Sequence, residues 1–145
     1  MKLETIFAEW EQDCVINESN LAAESLNISK LHGKYHKIYT HERIVLNKYE
    51  TELKTLRLEK YEFYTQGPTK ETHARGWTLP PSGKILKNEV QTYIDCDKDI
   101  IEATLKIGIQ HEKVELLTSI IKTISNRGFQ IRNAVEWLKF SNGIS

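Results

Sequence analysis

The segment Lys54-Thr55-Leu56-Arg57-Leu58-Glu59-Lys60-Tyr61-Glu62-Phe63-Tyr64 interleaves cations with aromatic rings. Wound as a helix, it sets Arg57, Lys60 and Tyr64 on one face, with Lys54 and Tyr61 beside them. Single-strand binding needs this pairing, because cations neutralise phosphates and flat rings stack on bases. A solvated Lys/Glu face over core tyrosines explains the same spacing, since Glu59 and Glu62 dilute the charge. Six residues after Tyr64 begins a set of Lys70, His73, Arg75 and Trp77. An exposed Arg-Gly-Trp suits a strand of nucleic acid, with the indole on a base and Arg75 on a phosphate. The alternative is that Trp77 anchors its loop to the core.

Other clusters lead less far. Asp95-x-Asp97-x-Asp99 opens like a calcium loop. Such a loop needs Gly at its sixth position and Glu at its twelfth, where this chain has Ile100 and Lys106, so the acids read as helix-capping groups. His32 and His36 stand one turn apart with Lys34 and Lys37 close by and no third ligand, which is a solvated face rather than a metal site. There is no phosphate-binding glycine loop, nucleophile elbow or paired carboxylate site. The sequence therefore argues against an enzyme and calls for no cofactor. Cys14 and Cys96 lack zinc or redox spacing and read as free cytosolic thiols.

The elements that must hold these residues are helical. The chain has 145 residues, enough for one domain with a modest core. Its three prolines, Pro68, Pro80 and Pro81, fall in one stretch. That leaves room for long helices on either side of an irregular loop at 66–83. A short amphipathic helix is expected over Leu3–Trp10, apolar at Leu3, Ile6, Phe7 and Trp10 and acidic at Glu4, Glu9 and Glu11. It is a candidate for docking a protein partner or for packing on the next helix. That helix should start at an Asn17 cap and run to about Thr65, with Gly33 as the place for a kink. Residues 85–94 favour a short helix, as no second strand is available to pair with them. The next helix, from Asp97 to about Asn126, carries Ile100, Ala103, Ile107, Gln110, Val114, Leu117, Ile121 and Ile124 at alternating steps of three and four. This is a heptad seam with one polar interruption. Arg127-Gly128 is expected to break the helix, and a last helix spans Phe129–Phe140.

The class is thus all-α: long helices joined by a central irregular loop, with a C-terminal oligomerisation region. Residues 1–88 form a DNA-binding part and 89–145 the oligomerisation part. The seam at Ile107, Val114, Leu117, Ile121 and Ile124, with Phe129 after it, is too apolar for water and points to a homo-oligomer. Charge follows position: residues 1–26 hold one lysine against six acids, and residues 27–87 hold twelve Lys or Arg against six. Acidic and basic residues number 20 each, so the net charge is zero. No stretch has the length of a membrane span and no signal-peptide pattern opens the chain, which points to a cytoplasm.

The closing segment, from Ile124-Ser125-Asn126-Arg127-Gly128-Phe129 through Asn133-Ala134, then Glu136-Trp137 and Lys139-Phe140, resembles the UvsY family of phage recombination mediators. Leu3-Glu4, Asp13 to Ile16, Asp97-Lys98-Asp99 and the basic-aromatic end of the long helix extend the likeness over nearly the whole chain. The resemblance implies an all-helical ring of six or seven chains. It implies binding to single-stranded DNA, to a phage RecA-like recombinase and to the phage single-strand binding protein, in the cytoplasm of an infected bacterium. It also implies that a basic-x-basic pair precedes an aromatic pair. Here Lys60 fills the second basic position and Phe63-Tyr64 the rings, while Leu58 stands at the first. Arg57 is the nearest replacement, about 100° around the helix.

Overall fold

The structure is a computed structural model and describes residues 1–143. It is helical, and no strand forms among the described residues. The elements in chain order are α1 (Leu3–Asp13), a 3-10 turn (Glu18–Asn20), α2 (Leu21–Leu26), α3 (Ile28–Gln66), α4 (Lys70–Ala74), α5 (Val90–Asp95), α6 (Lys98–Ser125) and α7 (Arg127–Ser141). The all-α expectation is met. Several boundaries differ from those the sequence suggests: the loop expected at 66–83 contains α4, and of the helix expected over 85–94 only α5 forms. The long helix is interrupted at Asn27 rather than kinked at Gly33. Asn17 and Asn20 each cap a short turn by accepting backbone N–H groups, from Ser19 and Ala23. Asparagine competes for the backbone in this way, so two short turns precede α3. Gly33 stays inside α3, because its cost of about 1 kcal/mol is small beside the packing of a 39-residue helix. Gly128 lies inside α7 and not at a C′ position. The break falls at Asn126 alone.

Residues group into two compact units: Met1–Ile44 with Gln110–Ser145, and Val45–Ile109. Both α3 and α6 contribute to each. In the first unit, Ile6, Leu31, Tyr35, Leu117, Ile120 and Ile124 form a closed core. Trp10 meets Tyr35 edge to face at 5.4 Å. The Tyr35 hydroxyl donates to Asp13 at 2.8 Å, and Lys34 reaches the same carboxylate at 2.6 Å. The seam's polar interruption is explained here. Gln110 is buried and donates through Nε2 to the Glu42 carboxylate and to the Glu42 carbonyl, both at 2.7 Å. Lys113 and the α-amino group of Met1 also face that carboxylate, at 3.9 and 3.0 Å. Burial opposes the charge on Glu42, but these donors outweigh it and hold its carboxyl below the ordinary value. Gln110→Leu should therefore cost about 1–3 kcal/mol, since it leaves a buried acceptor short of its donor. Urea melts of the two proteins check this.

In the second unit, Phe63, Tyr64, Trp77, Ile85, Val90, Ile94 and Ile100 form the core, with Leu53, Leu56, Tyr61 and Leu79 packed around it. The loop after α3 is short of regular structure but well tied. Gly67 takes φ +97° and closes α3 through its N–H to the Phe63 carbonyl at 3.0 Å. Thr69 and Thr72 form a reciprocal capping box at the start of α4. Gly76 at φ +76° then reverses the chain and delivers Trp77 to the core. The Ile85 N–H bonds the Tyr64 carbonyl at 2.9 Å, returning the loop to α3.

Candidate nucleic-acid interface

The last two turns of α3, the Arg75-Gly76-Trp77 corner and the start of α6 enclose a cleft of about 490 Å³ within the second unit. Its lining includes Lys60, Tyr64, Arg75, Trp77, Tyr93 and Lys98. The arrangement follows from local folding. α3 ends at Gln66, the loop returns Trp77, and α6 begins beneath them, capped by Asp97. The indole of Trp77 carries two cations, with Lys60 Nζ 3.7 Å and Arg75 Cζ 4.1 Å from its centre. Arg75 also donates to Glu59.

The structure brings together part of the expected DNA-contact set. Lys60, Tyr64, Arg75 and Trp77 share the cleft. Lys54 and Lys70 are exposed outside its lining. Arg57 is half-buried and pairs with Asp95 at 3.0 Å, and Tyr61 packs on the core. Trp77 anchors its loop, being 9% exposed. Tyr64 is also buried and donates its hydroxyl to Asp97 at 2.6 Å. Burial, and then the bond to Asp97, push the Tyr64 phenol well above its ordinary value. Lys60 is 3% exposed, and its ammonium donates to Asp99 at 2.8 Å and lies 3.1 Å from Asp97. Two further groups were not singled out from sequence. Tyr93 stands at 37% exposure, with its ring 6.0 Å from that of Tyr64. Lys98 is exposed at the head of α6. Lys98 sits in the very Asp-Lys-Asp triplet read as a cap, so the acids drew attention from the lysine between them.

The other expected groups have plain placements. The rings of His32 and His36 stack at 5.8 Å, and no cluster able to hold a metal occurs among the described residues. Cys14 and Cys96 are free and exposed. Of the oligomerisation set, Leu117 and Ile124 are fully buried in the first unit's core. Ile107, Val114 and Ile121 are half-buried, while Phe129 is exposed.

No curated protein matches the sequence. Crystal structures of the bacteriophage T4 recombination mediator protein UvsY are similar in fold. One, at 20% identity, has a TM-score of 0.79 and covers 98% of each chain. A second, at 18% identity, has a TM-score of 0.78 and covers 97% of this chain and 99% of the other. A third, also at 18%, has a TM-score of 0.78 over 94% and 98% of the two chains. A family model described as recombination, repair and single-stranded DNA binding protein UvsY matches residues 9–144. That match takes in the cleft, the loop and all of α3 to α7, and the chain belongs to the UvsY family.

Proposed function

We propose that this protein binds single-stranded DNA and acts as a recombination mediator, helping a phage RecA-like recombinase load onto strands coated by the phage single-strand binding protein. The match to a single-strand-binding family along nearly the whole chain carries the reading. The cleft supports it, because it sets cations beside rings at one end of α3. Arg75 and Lys98 at the cleft, with Lys54 and Lys70 outside it, are the phosphate contacts; Arg57 follows on release from Asp95. Tyr93 at the rim offers a ring to a base, while Tyr64 and Trp77 form the floor behind it. The chain does this without catalysis or a cofactor of its own.

The active form is a homo-oligomer of six or seven chains. α7 leaves Phe129, Trp137, Leu138 and Phe140 exposed, an apolar surface suited to another copy. Repeated weak sites at high effective concentration build avidity without a strong single contact. A strand held this way stays within reach of the recombinase as it nucleates. Among the described residues no helix is long and apolar enough to cross a membrane, and the proposed setting is the cytoplasm of the infected host.

The test is anisotropy of a labelled oligonucleotide across a salt series. Each phosphate neutralised should contribute about −0.7 to the slope of log K against log salt. The Lys54→Ala/Lys70→Ala/Arg75→Ala variant should bind more weakly and lose up to about 2 from the magnitude of that slope. A second reading, an assembly protein without DNA binding, draws on the ion pairs that occupy Arg57 and Lys60. Salt-independent or absent binding by the unaltered protein would favour it. The mediator step is checked by the lag before recombinase ATP hydrolysis on precoated DNA, which this protein should shorten.

A further inference from the structure

We propose that Asp99 is an internal competitor for DNA: its carboxylate holds the place on Lys60 that a strand phosphate takes, and binding exchanges one for the other. The proposal rests on the DNA-binding reading of the cleft and concerns how that site is regulated. It starts from the most central cation of the basic-aromatic segment. The Lys60 ammonium has three N–H groups to place. Asp99 lies at 2.8 Å, Asp97 at 3.1 Å and the face of Trp77 at 3.7 Å. Its donor capacity is filled from within the chain, so a phosphate reaches it only by displacing a carboxylate.

The two carboxylates are not equivalent. Asp97 has a side chain 8% exposed. It accepts the Tyr64 hydroxyl at 2.6 Å and the backbone N–H groups of Asp99 and Ile100 at 2.9 and 3.3 Å. Removing it would uncap α6 and strand a phenol, so it is a fixed part of the fold. Asp99 has a side chain 44% exposed, lines the cleft and bonds Lys60. Water already reaches it, so its release costs little desolvation. A phosphodiester carries the same single charge as a carboxylate and offers similar acceptor oxygens. At that position it would also face Arg75 and Lys98, which line the same cleft. The exchange is therefore close to balanced at Lys60 and is tipped by the neighbouring cations.

The device sets a threshold. Strand contacts at Arg75 and Lys98 alone are weak, and the Lys60 contact forms only when a strand is seated well enough to replace Asp99. A mediator that must release its strand to another protein gains from a site that closes itself again.

The experiment compares the full-length protein with Asp99→Asn, with Lys60→Gln/Asp99→Asn, and with Glu89→Gln, which removes an exposed charge outside the cleft lining. Asp99→Asn should bind oligonucleotide about two- to fivefold tighter, the range of a partly exposed ion pair. Its salt slope should steepen by up to about 0.7, as Lys60 then holds a phosphate in every complex and not only where a strand has displaced Asp99. Both gains should vanish in Lys60→Gln/Asp99→Asn and be absent from Glu89→Gln. Circular dichroism confirms the fold of each, and Asp99→Ser serves if the asparagine variant fails to fold. An Asp99→Asn protein with unaltered affinity and slope overturns the proposal. So does a gain that survives loss of Lys60 or is matched by Glu89→Gln. If the unaltered protein shows no salt-dependent binding, the DNA-binding reading falls first and this proposal falls with it.

Discussion

Lys60→Met should remove about 3–5 kcal/mol from the stability of the second unit at neutral pH, the range seen when one partner of a buried ion pair is taken away. The lysine side chain is 4% exposed and Asp97 8%, so little solvent screens the charge that is left. Asp99 is better hydrated and adds less. The loss also strips one of the two cations from the face of Trp77. Adding Asp97→Asn to the methionine variant should recover part of the loss, because the orphaned charge is then gone while an amide still accepts from Tyr64. The pH dependence gives a second check. Burial alone would raise the Asp97 carboxyl, but the hydrogen bonds from Tyr64 and Lys60 outweigh it and hold it below its ordinary 3.8. A carboxyl depressed in the folded state stabilises above its unfolded value, and that contribution is lost as pH falls through the folded one. The gap between the parent and Lys60→Met should therefore be widest near neutrality and narrow as the pH is taken below about 4. Urea melts at several pH values measure it. An undiminished midpoint in Lys60→Met would mean that the buried pair contributes nothing to the fold.

This ion pair marks where reading the chain in order loses track of charge. Residues 27–87 form a basic block in sequence, but folding does not keep it basic. Asp95 and Asp97 lie 38 and 37 residues beyond Arg57 and Lys60, and they return to meet them at 3.0 and 3.1 Å. Each of the two compact units holds ten basic and ten acidic residues. The sequence showed the acids, and it showed correctly that Asp97 caps α6, whereas Asp95 ends α5. It could not show that their second lone pairs reach across to α3. Helices were easier to read, because apolar spacing and the clustering of proline are local properties. Asn27 was missed and Gly33 over-weighted for one reason: a helix break depends on whether neighbouring caps and packing make it cheaper than continuing. The buried Glu42 carried no local signal at all. Its partner, Gln110, did stand out as the polar step in the seam, but only the fold says that the step answers a carboxylate 68 residues away.

Leu117→Ala should cost the first unit about 2–5 kcal/mol, the usual loss when a buried leucine is cut to alanine. Leu117 has no exposed surface and lies with Ile6, Leu31, Tyr35, Ile120 and Ile124 in one core. No other chain is needed to cover it. The heptad pattern was legible as an apolar face, but periodicity does not say what covers that face. At Leu117 and Ile124 the cover is this chain's own α1 and α3. A proposed contact between copies must then use surface that remains open, and α7 supplies it. Trp137 and Phe140 are 66% and 75% exposed, and their rings sit 5.9 Å apart. Two substitutions thus separate folding from assembly. Leu117→Ala should lower the urea midpoint, and any change in assembly should follow from that loss of stability. Trp137→Glu with Phe140→Glu should leave the monomer's stability within about 0.5 kcal/mol, as exposed sites usually do. It should nonetheless place charges in any apolar contact between copies, and sedimentation velocity should show smaller species. Full-sized assemblies from the double glutamate variant would remove α7 from the proposed interface and leave Ile107, Val114 and Ile121, the half-buried part of the seam, as the surface to test next.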